Sequence, residues 1–285
     1  MLVYGIDFTS SPKPRRPLVV AQCRLDGDTL HLTDLLRLRS FDQLERSLRA
    51  SGEWIAGFDF PFGQPRKLLR NLGWPEGWEG YVSRVAELSR PEYEDLLEMY
   101  KAARPSGDKE HRRRTDVVAQ SVSPMKLYGV PVAKMFFEGA PRLLRSGVSI
   151  LPCHPTDDPR VAVEAYPALV ARAFIGKRSY KKTRSRGGAK RRQDRADARR
   201  KLVAAILGEP VRERYGVGFD CGHFLSDEMI ADEGGDLLDA AFAAVQAAWC
   251  WQRRDRGWGI PGDADPVEGW IVDPVTLERQ EKGWR

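Results

Sequence analysis

Cysteine is scarce in this chain and poorly spaced for cross-linking. The four present, Cys23, Cys153, Cys221 and Cys250, include no Cys-x-x-Cys pair, which argues against both a disulfide framework and a zinc ribbon. Cys153-His154 and Cys221-Gly222-His223 bring the two residue types together, but neither spacing matches a closed structural zinc site. Free, mostly buried thiols are expected instead. Long apolar runs are also missing: none approaches the roughly 18–20 residues that a membrane span requires. No basic leader with a small-residue cleavage site stands between Met1 and the first apolar run, so secretion is not expected and the cytoplasm is the expected location. Neither Gly-x-Gly-x-x-Gly nor the P-loop pattern Gly-x4-Gly-Lys-Ser/Thr occurs, which removes the two commonest nucleotide-phosphate loops. Residues 64–155 carry no repeat or low-complexity tract that would mark an independent array.

What is present is the composition of a soluble globular protein. Over 285 residues, 42% are hydrophobic and 30% charged, enough for one large domain carrying a sizeable insertion and needing no staples. The net charge of +6 is concentrated: Lys177 to Lys201 holds thirteen basic residues against Asp194 and Asp197. Such a block is the electrostatic footprint of a nucleic-acid binder, or else a solvated, mobile segment. Lys181, Lys182, Arg184, Arg186, Arg191 and Arg192 are the candidate phosphate contacts within it. His111-Arg112-Arg113-Arg114 forms a second cluster, in which guanidinium forks suit phosphate oxygens; the alternative is a solvated loop.

The first sixty residues read as a three-stranded meander, a helix and a fourth strand. Leu2 to Asp7 is a short apolar run. Pro17 to Leu25 and Thr29 to Leu36 flank the Asp26-Gly27-Asp28 turn of a hairpin. Ser40 is a plausible N-cap for a helix whose Phe41, Leu44 and Leu48 form one stripe, with Gly52 ending it. Trp54 to Asp59 is a buried strand stopped by Pro61 and Gly63. Residues 64–155, with their Trp- and Pro-rich turns and two predicted helices (Pro91 to Ala103 and Val132 to Arg145), read as a helical subdomain inserted after strand four. Val161 to Glu164 resumes the strand pattern, and Pro167 suits the first turn of a helix. Residues 176–201 form the basic segment, with Arg195 to Leu207 predicted helical. Asp236 to Trp251 is apolar almost all round, as only a buried helix can be.

Four acids stand out because each lies in or at the end of an apolar run, where an unpaired carboxylate is costly to bury. Asp7, Asp59 and Glu164 close strand-like stretches, and Asp239 lies in the first turn of the apolar helix. If the fold gathers them, a divalent cation is the natural compensation. Asp236, three residues before Asp239, presents a second carboxylate on the same helix face. Each has a plainer role open to it: turn acid for Asp7 and Asp59, cap of the Pro167 helix for Glu164, N-cap for Asp236, first-turn acid for Asp239. Phe58, Phe60 and Phe62 suit core packing better than base stacking, and Trp74 and Trp78 suit either.

A right-handed crossover after the meander sets the Asp59 strand parallel to and beside the Asp7 strand. That element order is that of an RNase H-like domain: a mixed α/β sheet of five strands flanked by helices. The motifs Gly5-Ile6-Asp7-Phe8-Thr9, Gly57-Phe58-Asp59-Phe60-Pro61-Phe62-Gly63, His111-Arg112-Arg113-Arg114-Thr115-Asp116, Glu164-Ala165-Tyr166-Pro167-Ala168 and Asp236-x-x-Asp239-Ala240 together resemble domain-of-unknown-function family 429. The resemblance spans almost the whole chain. It implies an RNase H-like nuclease in which Asp7, Asp59, Glu164 and Asp239, with Asp236 as a further ligand, hold Mg²⁺ or Mn²⁺ and hydrolyse a phosphodiester of DNA or RNA. Two rivals remain open: an ATP-dependent small-molecule kinase of the actin-like superfamily, faintly suggested by Gly5-Ile6-Asp7-Phe8-Thr9-Ser10, and a non-catalytic nucleic-acid-binding protein.

Overall fold

The computed structural model describes residues 1–182 and 188–284. It is a mixed α/β fold around one seven-stranded sheet, with helices on both faces. The strands are β1 (Leu2–Asp7), β2 (Leu18–Asp26), β3 (Thr29–Leu38), β4 (Trp54–Phe58), β5 (Ser149–Leu151), β6 (Arg160–Glu164) and β7 (Gly218–Cys221). Their order across the sheet is β5-β6-β4-β1-β2-β3-β7. β2 runs antiparallel to β1 and β3, while the β1–β4, β4–β6, β5–β6 and β3–β7 pairs are parallel. The expected parallel pairing of the Asp7 and Asp59 strands is therefore present. The five-strand expectation is corrected by β5 and β7, of three and four residues, which extend the two edges.

Local sequence accounts for the first unit. The hairpin turns on Gly27 and Asp28, with Asp26 paired to Thr29 and Gly27 at φ +57°, a region glycine enters without steric cost. Ser40 caps α1 (Phe41–Leu48), its hydroxyl accepting from the Gln43 amide at 3.4 Å. The next helices, α2 (Arg66–Leu72), α3 (Trp78–Ala86), α4 (Arg90–Ala102), α5 (Arg114–Ala119) and α6 (Val132–Ser146), follow β4. Buried side chains of α3, α4 and α6 pack with Ile6, Val20, Ala56 and Phe58 on one face of the sheet. The same cluster takes in Phe60, Phe62 and Trp78, whose indole donates to the Phe62 carbonyl at 2.7 Å. Those aromatics are core. β5 lies within residues 64–155, so that stretch also supplies sheet.

The other face carries α7 (Pro167–Ile175), α8 (Ala189–Leu207), α9 (Glu209–Tyr215), α10 (His223–Ala231) and α11 (Asp236–Trp251); α12 (Pro274–Glu281) closes the described chain. The helix predicted from Arg195 to Leu207 is present and begins six residues earlier, so residues 189–201 of the basic segment lie in α8. Its apolar side begins only at Ala198, Leu202 and Val203. All four cysteines are free, and Cys23, Cys153 and Cys250 are buried. No helix among the described residues is long and apolar enough to cross a membrane.

α11 determines the geometry of the centre. Gly5 and Gly57 are cross-strand partners, and a Cβ on Gly5 would stand 1.9 Å from the Ala240 carbonyl oxygen, one on Gly57 2.4 Å from that of Ala243. Two glycines in adjacent strands facing an Ala-rich helix let backbone touch backbone. Side chains alternate along a strand, so Asp7 and Asp59, each two residues after its glycine, project on the face that α11 covers.

A candidate metal centre

Asp7, Asp59 and Asp239 each offer a carboxylate oxygen within 4.8 Å of the others. Asp7 ends β1, Asp59 follows β4 with its amide bonded to the Ile6 carbonyl at 2.9 Å, and Asp239 lies in the first turn of α11, one residue before the Ala240 carbonyl that meets Gly5. This is the one such acidic or metal-ligating group among the described residues. Burial raises Asp7 well above the ordinary carboxylate range; Lys181 opposes the rise, and Asp239, Asp236 and Asp59 add to it. Asp59 is pushed up to about 7 by burial first and then by Asp239.

Two neighbours engage Asp239. The Tyr180 hydroxyl donates to Oδ1 and the Lys181 ammonium to Oδ2. Burial works against the Lys181 charge, but Asp239, Asp7 and Asp59 outweigh it and hold the ammonium above its usual value. Lys181, expected as a phosphate contact, is thus a cation of the acidic centre. Tyr180 was missed by the sequence reading, since a lone tyrosine in a basic run carries no visible pattern.

Asp236 stands beside the triad and outside the set of mutually close oxygens. It is not the N-cap: Asp232 bridges the Gly234 and Leu237 amides at 3.0 Å each, and Gly235 occupies the capping position. Burial, with Asp232 and Asp239 nearby, raises Asp236 against the lowering effect of Lys181.

Glu164 is in the wall of the same cleft, but its oxygens are engaged elsewhere. Arg113 donates to both of them, at 2.8 and 2.6 Å, and the Phe62 amide donates to Oε2 at 2.8 Å. Arg113 also donates to Asp116 through Nε and Nη2, at 2.9 and 2.8 Å, and to the Glu268 carbonyl at 2.9 Å. All five guanidinium donors are satisfied, and Arg113, Glu164 and Asp116 are buried. Arg113 therefore has no donor left for the phosphate contact expected of it, and Glu164 is held as its counter-ion. The Arg113–Asp116 spacing did carry a clue, because the Asp116 carboxylate also accepts from the Arg113 amide at 2.9 Å across the first turn of α5.

The remaining basic candidates are dispersed. Arg112 is exposed, Arg114 is paired with Asp263 at 2.8 Å, and Lys182 with Glu233 at 2.8 Å. Arg191 and Arg192 are exposed on α8. Arg184 and Arg186 lie outside the described residues. His111 is buried against Tyr100, with Nε2 2.6 Å from the hydroxyl, and burial lowers its pKa.

The cleft measures about 390 Å³ and is lined by Asp59, Glu164, Arg113 and Asp239 together with Tyr166, Arg178 and Lys181. Residues 5–265 match the model of a family described as a protein of unknown function, DUF429. The chain belongs to the DUF429 family. The match takes in all five acids that the family resemblance singled out, and the carboxylates of Asp7, Asp59 and Asp239 form the acidic centre of this DUF429 member. No curated protein and no solved structure matches the chain.

Proposed function

We propose that this protein is a divalent-metal-dependent nuclease of RNase H-like fold that hydrolyses phosphodiester bonds of DNA or RNA. The observation that carries the reading is the convergence of Asp7, Asp59 and Asp239 within 4.8 Å. The central strand order β3-β2-β1-β4-β6, with β2 alone reversed, supports the RNase H-like part, because it is the meander and crossover from which that fold was inferred.

The donor set fits Mg²⁺ or Mn²⁺. Three carboxylates offer hard oxygen ligands from three different elements, and burial first, then the neighbouring acids, raises Asp7 and Asp59 despite the opposing Lys181 ammonium, so their charged forms lack full compensation. When bound, such an ion supplies Lewis acidity and lowers the pKa of water. The chain's own groups do the rest. Asp7 and Asp59 come from adjacent strands fixed by the sheet, so their separation is set by the ladder rather than by mobile loops. Tyr180 orients Asp239 through its hydroxyl. Lys181, with a half-exposed side chain, balances charge at the acids and is within reach of an incoming phosphate. Arg113 locks Glu164 and α5 behind the cleft, giving the centre a rigid wall.

The test is direct: incubate purified protein with labelled single-stranded, duplex and branched DNA and RNA in Mg²⁺, Mn²⁺ or EDTA. Cleavage with either metal and none in EDTA is expected; intact substrates under every condition would leave a binding protein.

A further inference from the structure

The cleft beside the acidic centre is lined by two unlike sets of side chains. One is the acids, with Arg178 and Lys181 at hand; the other is apolar and includes Val122, Val130, Val132, Met135 and Tyr166. Val122 and Val130 are 40% and 58% exposed, and large apolar side chains gathered at the mouth of a cleft mark a ligand surface. Two further charged groups of the lining are already consumed: Arg113 has no free donor, and Asp116 accepts from Arg113 and from the Ser121 hydroxyl at 2.8 Å. A second phosphate would find no partner there.

A basic track reaches the cleft from outside. Arg178 and Ser179 line both the cleft and a neighbouring groove along α8, whose other walls carry Arg191, Arg195 and Lys201 against Asp194 and Asp197. A polyanion following that groove reaches the lining of the cleft at Arg178 and Ser179.

Resting on the nuclease reading above, we propose that the apolar lining of the cleft receives an unpaired nucleobase, so that the substrate is a nucleic acid with a single-stranded nucleotide at the scissile phosphate rather than a continuous duplex. The occupant must be largely apolar on its faces and attached to a phosphate chain, and a base is the part of a nucleic acid that meets both conditions. Tyr166 in that lining is half-buried, with the Arg172 guanidinium 5.4 Å from its ring centre and donating to its hydroxyl at 3.1 Å. A base stacked in a duplex cannot enter without leaving its neighbours, which costs a few kcal/mol.

The inference is tested by binding rather than cleavage, so its failure and that of the nuclease reading are separable. Fluorescence anisotropy in EDTA compares three labelled 20-mers of one sequence, as DNA and as RNA: single-stranded, fully paired, and paired with one unpaired nucleotide. The two unpaired forms should bind about tenfold or more tightly than the paired one, the scale of one stacked base. Val130→Asp, at an exposed position that folding does not need, should erase that preference while leaving affinity for the paired form within about twofold. Val122→Asp should act in the same direction. Equal affinity for paired and unpaired forms, no binding of any form, or a preference that survives both substitutions would overturn the inference, whatever the cleavage assays report.

Discussion

Replacing Asp59 by Asn should stabilise the metal-free protein at alkaline pH and leave it nearly unchanged near pH 4. Burial and the neighbouring Asp239 raise the Asp59 carboxyl from 3.8 to about 7, so the folded state binds its proton more tightly than the unfolded chain does. Between these values the folded state carries the extra proton, and stability falls as pH rises through the window. The difference corresponds to about 4 kcal/mol for a group fully shielded from water, and partial solvent access reduces it to about 1–3 kcal/mol. Asn keeps the shape without the charge and so escapes that loss. At about 2–4 °C per kcal/mol for a chain of this class, Asp59→Asn should melt roughly 2–12 °C above the parent at pH 8 in EDTA. Thermal scans of both proteins from pH 4 to 8 check this. The parent should regain stability on addition of Mn²⁺, by about 2.7 kcal/mol at a hundredfold excess over Kd, and the variant should not. A difference independent of pH, or a variant less stable at pH 8, would refute the claim that the carboxylate is held at a cost.

Gly5→Ala should destabilise the fold by about 3 kcal/mol or more, since its Cβ would overlap the Ala240 carbonyl; urea titration reads this, and a structure of any surviving variant should show α11 displaced from β1. Glu164→Gln strips Arg113 of one counter-ion and should cost about 3–5 kcal/mol, a loss of stability visible by calorimetry with or without metal. Lys181→Met removes the cation that offsets the acids, so the metal-free protein should melt lower and its gain in Tm on adding Mn²⁺ should exceed the parent's. Neutralising Lys190, Arg191, Arg192 and Lys201 on α8 should weaken nucleic-acid binding for all sequences alike and reduce the log–log salt slope by about 0.7–0.9 per lost contact, with turnover at saturating substrate preserved.

The path to the acidic centre was legible where local chemistry speaks. Leu2 to Asp7, Trp54 to Asp59 and Asp236 to Trp251 carry unmistakable apolar patterns, and a crossover rule is enough to set Asp7 beside Asp59. The partnership of Glu164 with Arg113 was not legible, because it joins residues 51 positions apart and either alone looks like a site residue. Lys181 looked like one more member of a charge run; only the approach of the segment after α7 to the first turn of α11 reveals its attachment to Asp239. β5 and β7 are too short to show alternation. Residues 189–194, the part of α8 before the predicted start at Arg195, carry no apolar stripe, so nothing in their pattern distinguishes helix from loop.

The central claim is that Asp7, Asp59 and Asp239 share a catalytic divalent cation. The measurement that tests it most directly is titration calorimetry with Mn²⁺ on the parent, Asp7→Asn and Asp239→Asn, each shown to be folded by circular dichroism, alongside cleavage of the best substrate from the panel. The account predicts Mn²⁺ binding and cleavage in the parent, with both lost or greatly weakened in each variant. Unchanged Mn²⁺ affinity together with full cleavage in the folded variants would contradict it.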